Sequence, residues 1–375
     1  MSVVHRIIAW AVTVSVAVGT GLAMMAPASA ADSPASFLGQ FSKLKNVAST
    51  VPGNGDVNPY GVAVVRASRG RLHRGDVLVS NFNNKANEQG TGTTIVEVSP
   101  GGQQTQFARI TSPQLTGRCP GGIGLTTALA VLRGGWVVVG STTSKNGSVT
   151  TAKAGCLIVL DSHGTVRGTI SGKGINGPWD MAALSAGWFA DLFVTNVLNG
   201  NVAGQTGVVD QGTVLRLLVH VYWNRPPKLL AVTTIGSGFF EQANAAAFVI
   251  GPTGVGLGRH GTLFVADTGE NRITAIRHAV TRMTSAGTGA VVTSGRWLNA
   301  PLGLAVAPNG DVLTVNGGDG RIVETTPGGA QIAHRFLDRS GSPPGSGALF
   351  GLAVAPGGSG VYYVDDATNF LRLLH

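Results

Sequence analysis

Apolar residues in this chain come in short bursts, and the bursts come in pairs. Residues 303–316 read GLAVAPNGDVLTVN, 254–267 read GVGLGRHGTLFVAD and 128–141 read ALAVLRGGWVVVGS, three stretches that superpose without a gap. Each is an apolar run, a turn built on Gly or Pro-Asn-Gly, a second apolar run and a small polar residue. Looser copies occupy 61–81, 180–196 and 351–365. Valine-rich runs this short, bounded by Gly, Pro and Asn, predict strands joined by hairpins. The closing polar residues are Asn81, Ser141, Asn196, Asp267, Asn316 and Asp365, and the last two intervals are both 49 residues. A strand repeat near that length is the signature of β-propeller blades, and six copies predict six blades.

The pattern also predicts what lies inside a blade. In the fifth copy, strands run over 303–307, 311–315, 321–325 and 331–337, with Pro327-Gly328-Gly329 as the last hairpin. The first copy repeats this at 94–98 and 104–110, and the second at 157–160 and 166–170. The sixth has room for only three strands, at 351–355, 361–365 and 369–374, before His375. A three-stranded last blade would leave an open edge, which proteins avoid. A segment within 36–50 is therefore expected to supply the missing outer strand. The expected fold is all-β: a six-bladed propeller of four-stranded antiparallel blades over 57–375, with 31–56 supplying the closing strand.

With strands named A to D from the axis outwards, A starts and B ends at one face of the disc. The D-to-A and B-to-C connections then share that face, and the B-to-C loops of the first three blades, 81–93, 141–155 and 196–212, are long. Long loops on a rigid scaffold are where binding usually sits. The opposite face is left with short turns and the basic loop 66–74.

The ends and the composition refine this picture. Arg6, the apolar run Ile7 to Met25 and Ala28-Ser29-Ala30 form a signal-peptide pattern over 1–30, so export to the periplasm or the exterior is expected. An uncleaved anchor is the rival, since the run is about long enough to span a bilayer. With 43% hydrophobic and 12% charged residues the chain can build a core, and 56 glycines suit many tight turns. The formal charge is +9, but its cations are scattered, which together with export argues against a nucleic-acid partner. No stable membrane insertion after cleavage is expected, and the chain reads as a monomer. Cys119 and Cys156 are expected to form one disulfide, because an exported chain favours that over a metal site. No G-x-S-x-G elbow, HExxH or phosphate loop occurs.

The strand-turn-strand unit, with GLAVAPNGDVLTVN and VADTGENRI at 265–273, resembles the NHL repeat and the wider gluconolactonase-like propeller superfamily. That resemblance implies a scaffold shared by ligand-binding modules and by lactonases that use a divalent metal in the channel. The lactonase pattern calls for a Glu and several Asn or Asp near strand-A starts, and Asp180, Glu241 and Asn244 are the residues here that offer something similar. They are the candidate catalytic and metal-holding groups, with Ca2+ the cation that such oxygen ligands suit. Asp180 stands where the other copies mostly carry Gly or Ala. Asn81, Asn196, Asp267, Asn316 and Asp365 join these three as candidate ligand contacts, although their recurrence in register favours turn hydrogen bonds. Trp179, Trp188, Phe239 and Phe240 read as packing residues between blades. Two functions follow: a non-catalytic binding or scaffold module for a peptide, glycan or protein at the loop-rich face, and a metal-dependent hydrolase or lactonase.

Overall fold

The computed structural model describes residues 35–200, 207–244 and 247–375, and Ser36–His375 forms one compact unit. The expected leader, 1–30, lies outside the described residues. Six antiparallel sheets make the propeller. Blade 1 runs through strands Val57–Val64, Val77–Asn83, Thr94–Val98 and Gln104–Arg109, and blade 2 through Leu125–Leu132, Trp136–Ser141, Cys156–Leu160 and Val166–Ile170. Blades 4 and 5 begin at Pro252 and Pro301 and end at Ser294 and Phe336. Blade 6 has Leu349–Val354, Val361–Asp365 and Phe370–Leu374, and Leu44–Ser49 pairs antiparallel with the last of these as its outer strand. The amino-terminal segment thus closes the ring. It is seated first on blade 5, where the buried Glu324 carboxylate accepts from the amides of Phe37 (2.7 Å) and Leu38 (2.9 Å).

Blade 3 departs from the regular plan. Its strands Gly177–Ala186, Phe189–Val197, Val208–His220 and Lys228–Asn244 are long, and a short fifth strand, Phe248–Ile250, folds back on the last. No sequence repeat marks this extension, because its extra residues project beyond the shared core. Among the described residues, no helix is long and apolar enough to cross a membrane.

Near the axis the chain repeats a Pro-x-Gly step: Pro59-Tyr60-Gly61, Pro252-Thr253-Gly254, Pro301-Leu302-Gly303 and, with Leu in place of Pro, Leu349-Phe350-Gly351. Each strand A enters its sheet there through a register irregularity. The glycine lets neighbouring inner strands touch. A Cβ on Gly303 would stand 2.1 Å from the Phe350 carbonyl, and one on Gly351 2.2 Å from that of Tyr60. Hydroxyls stitch the same ring: Thr126 donates to the Pro178 carbonyl (2.7 Å), Thr195 to that of Thr253 (2.6 Å) and Thr253 to that of Leu302 (3.0 Å). Between blades lie separate apolar clusters, such as Leu78, Ile95, Val139 and Ile158 between blades 1 and 2. Burial of such side chains contributes about 1.5–3 kcal/mol each.

Candidate functional site

The middle residue of each axial step points into the channel and closes it. Tyr60 stacks on Phe350 with ring centroids 4.2 Å apart and meets Trp179 edge-on at 5.8 Å. Trp179, Phe82 and Phe248 extend this aromatic floor. Above it, on the face of the B-to-C loops, opens a cavity of about 420 Å3. Amides line one side of it: Asn58 on strand A of blade 1, Asn83 at the end of strand B, and Asn87 and Gln89 on the loop beyond. Thr253 and Thr268 line another side, with Tyr60, Leu302 and Phe350 below and Asp366 as its acid.

Two features make this mouth chemically capable. The side-chain oxygens of Asn58 and Asn83 are buried and make no hydrogen bond within the protein, although Asn83 donates to the Asn87 side chain at 2.7 Å. Unpaired buried acceptors are costly, so they are available to a ligand's donors. Burial, and secondarily the charge of Asp365, raises the Asp366 pKa to about 7. The same burial, with Asp366 nearby, pushes the Tyr60 hydroxyl upward and keeps it protonated. A carboxyl group titrating near neutrality can hold or accept a proton there. The mouth also adjoins a second hollow of about 470 Å3 between the first two long loops and the end of blade 3, lined by Asn87, Glu88, Gln89, Asn146, Ser148 and Asn244 among others. Asn87 and Gln89 belong to both.

The residues singled out in the sequence meet different fates. Asn244 lines the loop hollow, where its side chain also accepts from the Ala247 amide at 2.8 Å. Asp180 lines the narrow channel below the mouth. It occupies the glycine position of blade 3, and its carboxylate accepts from the amides of Met181 (2.8 Å) and, across the interface, Val255 of blade 4 (3.1 Å). Burial raises its pKa to about 7 while those two amides oppose the shift. Glu241 is fully buried and lines neither cavity. Burial lifts it to about 7 also, against the nearby amides of Asn199, Gly200 and Leu198. Asp180 thus takes part in an inter-blade bond, while Glu241 lies beside the amides of residues 198–200 with both carboxylate oxygens buried and without a hydrogen bond of ordinary geometry.

The recurring polar residues bond within the protein, although at least one oxygen each of Asn81, Asp267, Asn316 and Asp365 is, like those of Asn58 and Asn83, buried without a hydrogen-bond partner. None of the recurring residues lines the mouth or the loop hollow. Asn81 donates to the Thr50 carbonyl (3.0 Å), Asn196 to that of Gly174 (3.0 Å) and Asn316 to that of Trp297 (2.7 Å). Asp267 pairs with Arg272 at 2.8 Å and Asp365 with Arg372 at 3.0 Å. These partners lie in the connection leading into strand A (Thr50, Gly174, Trp297) or on the third strand (Arg272, Arg372), so the recurring position ties each blade's strands to its connections. Asn58, Asn83 and Asp366 are not among the candidates drawn from the sequence; they sit at the strand-A start and strand-B ends, which share this face. A signal existed for Asp366: it follows the closing polar residue where other copies carry Phe82, Thr142, Val197, Thr268 or Gly317.

Cys119 and Cys156 are bonded to each other, with Cα atoms 5.3 Å apart. The bond ties the D-to-A connection before blade 2 to the start of that blade's third strand, at the base of the long 141–155 loop. Among the described residues, the one group of His, Cys, Asp or Glu side chains close enough to share a metal is His73, Asp76 and Glu97. It lies in blade 1 at the opposite face. There the His73 ring nitrogen stands 3.8 Å from Asp76 and 3.7 Å from Glu97, distances of an ordinary ion-pair cluster.

No family model matches the chain, and no curated protein matches it. Solved structures do. They include a gluconolactonase from Xanthomonas campestris (14% identity, 88% of each chain covered, TM-score 0.53). A calcium-binding regucalcin from Agrobacterium tumefaciens is also similar (15% identity, 89% of this chain and 93% of that one, TM-score 0.55). So is a PQQ-bound aldose sugar dehydrogenase from Streptomyces coelicolor (17% identity, 88% and 98%, TM-score 0.50). Identity this low carries architecture and not chemistry, and the three differ in what they do. The chain has the fold of the gluconolactonase-like six-bladed β-propellers.

Proposed function

We propose that this chain is an exported binding module that holds a polar ligand, a glycan or a peptide, in the mouth of the channel and the adjoining loop hollow. The observation that carries the reading is the pair of buried, unpartnered amide oxygens on Asn58 and Asn83, set in one cavity with Asp366. They offer acceptors to hydroxyl or N–H donors, and the aromatic floor offers an apolar face. Export rests on the pattern of residues 1–30. The test is calorimetric titration of residues 31–375 with a panel of oligosaccharides and short peptides. Saturable binding weakened about tenfold by Asn83→Ala is expected, since one hydrogen bond to a neutral group contributes roughly 1 kcal/mol and its loss leaves a donor unpaired. Binding that Asn83→Ala and Asp366→Asn both leave unchanged would move the ligand elsewhere.

A second reading, a metal-dependent hydrolase of lactones or esters, is favoured by the same donors. Two amide oxygens and one carboxylate are hard ligands of the kind that Ca2+ accepts. Asn58, Asn83 and Asp366 would hold the ion, in place of Asp180 and Glu241, and a bound cation would polarise a carbonyl oxygen. Thermal unfolding after chelation, with Ca2+, Mg2+, Mn2+ or Zn2+ added back, separates the two. A saturable rise in midpoint that Asp366→Asn abolishes favours the hydrolase, whereas no rise with any ion leaves the binding module.

A further inference from the structure

The face opposite the mouth carries an aromatic and cationic crest. The long strands of blade 3 end there in two turns that present Trp188 (46% exposed), Phe189 (44%) and Trp223 (49%) to solvent. Trp188 was expected between blades, but the length of blade 3 carries it past the core. These rings alternate with arginines from neighbouring blades. The Arg69 guanidinium lies 4.5 Å from the Trp223 ring, and Arg133 lies 5.6 Å from Trp223 and 4.9 Å from Trp188. The ladder is braced from below. Arg133 donates to the Gly187 carbonyl (3.1 Å) and Trp136 to that of Tyr222 (2.7 Å), so both turns are held in place. Arg225 stands beside it, 3.8 Å from the Tyr222 ring, and the exposed Arg66, Arg71 and Arg74 belong to the same loop as Arg69. The acids at this end of blades 1 to 3 are little exposed: Asp161 is paired to Arg167 and Asp76 lies beside His73.

We propose that this crest docks the propeller peripherally on an anionic lipid bilayer. A guanidinium stacked on an indole keeps its N–H edge free for a phosphate oxygen. Half-exposed tryptophans are the side chains that settle at headgroup depth, and clustered arginines supply attraction to an anionic leaflet. The two indoles stand at 85° to each other, which gives a wedge and not the flat shelf on which a sugar ring stacks. Docked this way, the mouth on the far face stays open to solvent. The inference is independent of which ligand the mouth takes.

The test is flotation of residues 31–375 with vesicles of phosphatidylcholine alone and with phosphatidylglycerol added, together with quenching of tryptophan emission by brominated lipid. Leaving out the leader keeps its apolar run from binding lipid itself, and the closed ring over 36–375 makes this segment a complete unit. Retention by anionic vesicles only, lost at high salt and accompanied by quenching, is the expected result. Arg69→Gln with Arg133→Gln should weaken it about thirty-fold, from roughly five-fold per arginine at an anionic surface. Trp188→Ala with Trp223→Ala should abolish quenching, with the melting point unchanged and the arginine pair lowering it only slightly through the lost Gly187 bond. Arg259→Gln with Arg277→Gln removes the same charge elsewhere on that face and should cost much less. No retention, equal loss in all three double variants, or capture by heparin without capture by anionic vesicles would each overturn the proposal.

Discussion

The two faces of this disc are cut from one repeat, yet they have diverged in opposite directions. The mouth face gathers the long loops, the buried oxygens of Asn58 and Asn83, and Asp366 above a sealed channel. The other face keeps short turns and accumulates arginine, apart from blade 3, whose overlong strands push tryptophans outward. On the first face, the proposed ligand contacts are side-chain oxygens that are buried without partners. On the second, the proposed bilayer contacts are side chains that are exposed although apolar. In both cases the informative residue violates the environment its type prefers.

The largest effect is expected at the mouth. Cys119→Ser removes a bridge spanning 37 residues, for which chain entropy alone gives about 4 kcal/mol. Denaturant melts should show the loss under oxidising conditions and none against the reduced parent, and equal midpoints in both states would separate the long loop from mouth stability. Next comes the axis between the faces. Asp180→Ala strands the amides of Met181 and Val255 and should cost about 2 kcal/mol. An unchanged melting point would return Asp180 to the candidates for a ligand role.

A smaller effect is expected from pH. The folded-state pKa of Asp366 is raised, so it contributes stability that is fully present below the unfolded value near 4 and is lost as pH rises through about 7. Asp180 and Glu241 act in the same direction. The melting temperature should therefore fall between pH 5 and pH 8, and Asp366→Asn should flatten part of that slope. A slope identical in the variant would place Asp366 in contact with water. The smallest effect belongs to the crest: Trp188→Ala should change stability by less than about 0.5 kcal/mol, because its ring is half in solvent. A larger loss would make the crest a structural brace and remove the contrast between the faces.

Most of the architecture could be read from residue order. Short apolar pairs at a fixed spacing are a local property, and they predict the six blades, strands such as Thr94–Val98 and Arg321–Thr325, and the outer strand drawn from the amino-terminal segment. Strand polarity then sorts loops onto faces without any coordinates. Individual roles were not legible in the same way. Asp180 is a candidate because it breaks a repeat, whereas only the approach of blade 4 brings the Val255 amide to its carboxylate. Asn58, Asn83 and Asp366 are far apart in sequence, and whether an oxygen among them is buried and left unpaired depends on neighbours contributed by several blades. Periodicity is written between near neighbours along the chain. Desolvation is set by everything the finished ring packs around a group.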